Sequence, residues 1–137
     1  MTEIFRFHHI AVATSSAEKT MEFYKKLGFK CTEVIDDPLQ NVKISFLSRE
    51  GHPRIELVEP MSETSPVSAI LKKTGTTPYH FCYEVDNMQE AIAYLKKEKF
   101  IQLGPPVHAK AIDGKMICFL FSPDIGLIEL LQYNKTE

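Results

Sequence analysis

The 137-residue chain has no tryptophan and only three cysteines, Cys31, Cys82 and Cys118, none in CxxC spacing. That odd, scattered set excludes a disulfide framework and a thiolate zinc site, and it points to a reducing compartment. No block of lysine or arginine exceeds two residues, and the formal charge is −2. Such a balance leaves no electrostatic footprint for nucleic acid, so the expected partner is a small molecule. No apolar run approaches the roughly 18 residues of a membrane span, and Met1-Thr2-Glu3-Ile4-Phe5-Arg6 does not open a secretory signal. The expectation is a soluble, cytoplasmic protein with no membrane association. Low-complexity segments are absent too. With 44% hydrophobic and 25% charged residues, the composition is that of an ordered globule, and residues 1–137 suit one domain. Only Asn134 to Glu137 are expected to fray.

What the chain does have is an internal repeat. His9-Ile10-Ala11-Val12 leads into a helical pattern ending at Phe29, and His80-Phe81-Cys82-Tyr83 leads into a similar one ending at Phe100, 71 positions on in both cases. Ile44-Ser45-Phe46-Leu47 matches Ile117-Cys118-Phe119-Leu120, and Ile55-Glu56-Leu57 matches Ile128-Glu129-Leu130, now at an offset of 73. Two extra residues in a loop of the second copy account for the change. Ser15-Ser16 and Asp86-Asn87 are suited to cap helices. Ala17, Met21, Tyr24 and Leu27 in one copy, and Met88, Ala91, Ile92 and Leu95 in the other, fall at helical spacing. Three apolar runs follow each helix, punctuated by Asp36-Asp37-Pro38, Glu50-Gly51-His52-Pro53, Asp113-Gly114 and Ser122-Pro123-Asp124. Each unit therefore reads βαβββ, in an α+β chain: module 1 at about 5–60, module 2 at about 78–133, and between them a linker helix at about 65–74 that opens on Ser65-Pro66 and stops at Gly75.

The repeat pairs polar residues as well as apolar ones: His9 with His80, and Glu56 with Glu129. Period 2 puts His9 on one strand face with Ala11 and Ala13, and His80 with Cys82. Glu56 and Glu129 lie mid-strand between branched apolar neighbours, where an unpaired charge is costly, so each needs a partner. Two imidazoles and two carboxylates without a thiolate suit one divalent ion, Co, Ni, Zn, Mn or Fe, with positions left for water or substrate. The candidate metal ligands are thus His9, Glu56, His80 and Glu129. His8 falls on the opposite face, and His52 and His108 fall in loop contexts, so all three read as structural or surface residues.

These residues resemble the vicinal oxygen chelate superfamily (glyoxalases, bleomycin-resistance proteins, dioxygenases) across essentially the whole chain, and within it the methylmalonyl-CoA epimerases. The segments that carry the likeness are His9-Ile10-Ala11-Val12, Phe23-Tyr24-Lys25-Lys26-Leu27-Gly28, Ile55-Glu56-Leu57-Val58-Glu59-Pro60, Ser65-Pro66 and His80-Phe81-Cys82-Tyr83-Glu84-Val85-Asp86. The resemblance implies two tandem βαβββ modules forming a cupped mixed β-sheet with helices outside, a homodimer, and a metal at His9, His80 and Glu129 with Glu56 as a more variable fourth ligand. It also implies abstraction of an α-proton from an acyl thioester, CoA-bound or carrier-bound, with a metal-stabilised enolate. Glu129 and Glu56 are the carboxylates available to carry the proton.

Two departures qualify the likeness. Epimerases carry an acidic residue, taken as a second base, in the loop after the first helix, and that position falls at Leu39. The turn Ser122-Pro123-Asp124-Ile125-Gly126 is also shorter than theirs and closer to that of glyoxalase-like proteins. Two alternatives therefore stand beside an epimerase: a lactoylglutathione lyase acting on a glutathione adduct, which uses a similar ligand set, and a non-catalytic ligand-binding protein of the bleomycin-resistance type.

Overall fold

Capping residues set the helices where the spacing places them. Ser16 caps α1 (Ala17–Lys26) by accepting a hydrogen bond from the Lys19 amide, and Gly28, at φ 90°, turns the chain away. Ser65 caps α2 (Pro66–Thr74), whose first residue is the proline and whose end is Gly75. Asn87 caps α3 (Met88–Lys97) by accepting from the Glu90 amide. Lys99 stands in the repeat position of Gly28 and adopts the same left-handed conformation, at φ 72°. The computed structural model describes residues 5–133, so the expectation for Asn134–Glu137 lies outside the described residues.

The strands are β1 (Arg6–Ala13), β2 (Lys30–Cys31), β3 (Ile35–Asp37), β4 (Val42–Ser48), β5 (Ile55–Pro60), β6 (Thr77–Val85), β7 (Ile101–Gln102), β8 (Val107–Ala109), β9 (Lys115–Ser122) and β10 (Gly126–Gln132), with a 3-10 turn at Lys110–Ile112. Among the described residues, ten strands and three α-helices make the mixed α+β fold expected from the sequence. None of these helices is long and apolar enough to cross a membrane.

The βαβββ pattern needs one correction: the first strand after the helix is broken in both copies. β2 and β3 both pair with β4, and β7 and β8 both pair with β9. In the first copy the Thr32 hydroxyl, rather than a backbone carbonyl, accepts the Phe46 amide at 2.9 Å. In the second the break is Gly104-Pro105-Pro106, and proline has no amide to give to a ladder. A second correction concerns Asp36-Asp37, which end β3 rather than forming the turn; the turn begins at Pro38.

The chain divides into two compact units, one formed by His9–Tyr79 and the other by the stretch up to His8 with everything from His80 onward. Within the first, the strand order is β2-β4-β5-β1, with β5 parallel to β1 and β4 antiparallel to β5. Helix α1 covers one face, burying Ala17 and Phe29 with Val12, Leu47 and Leu57. Helix α2 packs on β5 in the same unit. The second unit repeats the order as β7-β9-β10-β6, with β10 parallel to β6 and antiparallel to β9. Here α3 covers one face, with Met88, Ala91, Ile92 and Leu95 against Val85, Cys118, Leu120 and Leu130. On the opposite face of that sheet Cys82, Ala109, Ile117 and Leu131 form a further apolar cluster.

Candidate metal centre

Strand register builds one imidazole–carboxylate pair in each unit. In the first, Ala11 lies opposite Glu56 across the parallel β1–β5 pair, and His9 shares the face of Ala11 two residues earlier. The glutamate and histidine are thus diagonal neighbours on one face, and His9 Nε2 comes 3.3 Å from Glu56 Oε1, with the two side chains 0% and 3% exposed. In the second unit Cys82 lies opposite Glu129 across β6–β10, and His80 precedes it on the same face. His80 Nε2 lies 3.1 Å from Glu129 Oε1, again fully enclosed. One register rule, used twice, gives two buried pairs.

Burying a carboxylate costs several kcal/mol unless a cationic or hydrogen-bonding partner compensates. Glu129 finds a hydrogen-bonding partner in His80, and Glu56 has His9 Nε2 3.3 Å away. The same donors suit a cation: His9 and Glu56 in the first unit, and His80 and Glu129 in the second, are buried and offer ring nitrogens and carboxylate oxygens of the kind that hold a metal ion. Nitrogen and oxygen donors without thiolate match a divalent first-row metal, so the residues present fit such an ion.

The antiparallel neighbours bring an aromatic ring to each pair. Phe46 lies opposite Glu56 and Phe119 opposite Glu129. Their rings meet the histidines in T-shaped contacts, Phe46 on His9 at 5.5 Å between centroids and Phe119 on His80 at 5.1 Å. The signal was present in the repeat, which aligns the two phenylalanines. A second missed pair ties each glutamate-bearing strand to a helix. Three residues after Glu56 and Glu129, Glu59 Oε1 accepts the Ala17 amide at 2.8 Å, and Gln132 Oε1 accepts the Met88 amide at 2.9 Å.

The remaining candidates fall elsewhere. His8, half-buried, does not point away as expected but brings a ring nitrogen within 4.8 Å of Cys82 Sγ, and exposed His52 rests its ring on Phe29 at 5.6 Å. His108 is not in a loop but in β8, where its Nδ1 donates to the Gly114 carbonyl at 2.8 Å, an exposed structural role. Leu39, where an acidic residue was expected, is 68% exposed in a turn. Asp37 is 1% exposed and accepts both the Gln40 amide and the Gln40 side chain, at 3.3 and 2.7 Å. Its register through Val42 to Pro60 places it on the same sheet face as Glu56, two strands away.

Comparison with known proteins agrees with this architecture. The model of the Glyoxalase/Bleomycin resistance protein/Dioxygenase superfamily matches residues 8–119. Human mitochondrial methylmalonyl-CoA epimerase is 36% identical over 131 residues, spanning 93% of this chain and 73% of that protein. The solved structure of a Streptomyces coelicolor methylmalonyl-CoA epimerase variant, in complex with 2-nitronate-propionyl-CoA, has a TM-score of 0.80 at 25% identity, over 94% of this chain and 97% of that one. The lactoylglutathione lyase of Schizosaccharomyces pombe is 31% identical over 141 residues, but the match spans 45% of that protein. The chain belongs to the glyoxalase/bleomycin resistance protein/dioxygenase superfamily, and its relatives there include methylmalonyl-CoA epimerases.

Proposed function

We propose that His9, Glu56, His80 and Glu129 together bind one divalent metal ion, and that the chain is a metal-dependent epimerase of an acyl thioester, of the methylmalonyl-CoA epimerase type, working as a homodimer. The observation that carries this reading is the duplicated, buried histidine–glutamate pair. Kinship with epimerases over most of the chain supports it, as does the thioester analogue in the Streptomyces coelicolor structure.

A divalent ion held by these donors would polarise the thioester carbonyl and stabilise the enolate formed as the α-proton leaves. The protein's own part is to carry that proton and to keep water out. Glu129 and Glu56 are the carboxylates assigned to proton transfer, a role that contributes about 10²- to 10⁴-fold for a well-placed group. In the second unit, Cys82, Ile117 and Leu131 enclose the face that bears Glu129. An apolar surround of this kind strengthens the electrostatic interactions of the groups inside it.

The test pairs metal analysis of protein purified without chelator with two turnover assays. Stoichiometric metal and exchange of the α-proton of methylmalonyl-CoA in D₂O are expected. Turnover confined to the methylglyoxal–glutathione hemithioacetal would reassign the chain as a lyase. Absence of metal and of both activities would leave a binding protein of the bleomycin-resistance kind.

A further inference from the structure

We infer that Phe46 and Phe119 are positioning residues for the metal ligands, each fixing the ring of one histidine; this rests on the metal reading above. The torsion that swings an imidazole about its own axis has broad, roughly two-fold wells, so strand geometry alone does not aim its ring nitrogens. A flat neighbour can. Phe46 stands directly across from Glu56 and packs at an interplanar angle of 72° on the histidine that Glu56 meets. Phe119 does the same for Glu129 and His80, at 81°. Each glutamate therefore has a small residue, Ala11 or Cys82, on one neighbouring strand and a phenylalanine on the other.

The second argument comes from what the repeat keeps. On the face of the pairs Ala11 becomes Cys82, and on the helix face Ser45 becomes Cys118 and Glu59 becomes Gln132, while histidine, glutamate and phenylalanine recur unchanged, as do the core pairs Ile44/Ile117, Leu47/Leu120 and Leu57/Leu130. Both phenylalanines remain half-exposed, and Phe119 also packs against the apolar cluster of Cys82, Ala109, Ile117 and Leu131, while Leu47 and Leu120 supply the fully buried bulk on the other face. A ring held before the metal arrives loses less conformational freedom on binding, which raises affinity without adding a ligand.

The experiment is a Co²⁺ titration followed by visible absorption, on the wild type, Phe46→Leu, Phe119→Leu, Phe119→Tyr and Leu120→Val. The wild type is expected to bind one Co²⁺ per chain. Each leucine variant should weaken binding about tenfold and alter the absorption bands. Phe119→Tyr, which keeps the ring, should restore wild-type affinity and bands. Leu120→Val should lower the melting temperature of the metal-free protein but leave affinity and spectrum unchanged. Phe119→Met gives the same comparison should leucine unfold the sheet. Wild-type affinity and spectrum in the leucine or methionine variants would overturn the positioning role alone, as would a Leu120→Val loss equal to theirs. A wild type that binds no Co²⁺ would overturn the metal reading and this inference with it.

Discussion

Matched through the repeat, the His9–Glu56 pair and the His80–Glu129 pair have the same register and nearly the same separation, 3.3 and 3.1 Å, yet different surroundings. The first is flanked by Ala11 and tied to α1 by the charged Glu59; the second is flanked by Cys82 and tied to α3 by the neutral Gln132. The histidines, the glutamates and the phenylalanines across from them recur, whereas the small flanking residue and the side chains that tie each sheet to its helix vary. The shared set is the one to which the proposed function assigns the chemistry. The variable set answers to the stability of each unit, and several substitutions can supply that.

The largest test of the comparison is to neutralise each glutamate. The resemblance assigns Glu129 as the constant ligand and Glu56 as the variable one, so Glu129→Gln should lower α-proton exchange by about 10²-fold or more and Glu56→Gln by less. Leu39→Ala, at a turn residue 68% exposed, should change exchange by less than about twofold. Measured exchange rates in D₂O check the order. Equal losses in Glu129→Gln and Leu39→Ala would remove Glu129 from the proton-transfer role.

Metal removal probes whether the halves act as one site. At free metal about 100-fold above the dissociation constant, binding adds about 2.7 kcal/mol of stability, seen as a fall in melting temperature on chelation. His9→Ala and His80→Ala should each abolish that increment if both halves serve a single ion. An increment that survives one of them would show that the other pair holds metal alone.

A smaller difference is expected at the helix ties. Glu59→Gln removes a carboxylate from the N-terminus of α1, where the helix dipole favours negative charge, and should cost about 0.3–1 kcal/mol in urea unfolding. The reverse change, Gln132→Glu, should give no matching gain. The Gln132 side chain also donates to the Asp86 carbonyl, and a carboxylate cannot.

Much of this was legible in the sequence because it depends on local signals. Cap residues and helical spacing place the three helices, and the duplicated His and Glu mark both pairs. Pairing register was not legible. Nothing in a single strand says that Glu56 will face Ala11 on one side and Phe46 on the other, so the phenylalanine contacts appear only once the strands are paired. The breaks between β2 and β3 and between β7 and β8 were hidden for a related reason. In the first, the Thr32 side chain replaces a backbone acceptor, and an apolar pattern does not report which group closes a ladder bond. Asp37 read as a turn residue because aspartate before proline usually is one; here Gln40 satisfies its carboxylate and allows it to end a strand.

The smallest effect expected concerns another repeat pair, Ser45 and Cys118. Ser45 is buried with its hydroxyl donating to the Thr32 carbonyl at 2.9 Å, and it does not titrate in the accessible range. Cys118 occupies the equivalent place among Leu120, Leu130 and Leu95, and burial pushes its thiol up, opposed by a hydrogen bond with Gln102 and by the charge of Lys96. Because its folded-state pKa is raised, the native protein keeps a proton that the unfolded chain gives up at about pH 8.5. Its contribution to stability is therefore intact below that pH and is lost as pH rises through the folded value. Urea unfolding from pH 7 to pH 10 should show an alkaline decline that is shallower in Cys118→Ala and unchanged in Ser45→Ala, although both lose stability at pH 7. Cys31, also raised by burial but only partly enclosed, should contribute the weaker remainder. An alkaline limb that Cys118→Ala leaves as steep would place its origin outside the Cys118 thiol, and this repeat pair would then be alike in its response to pH.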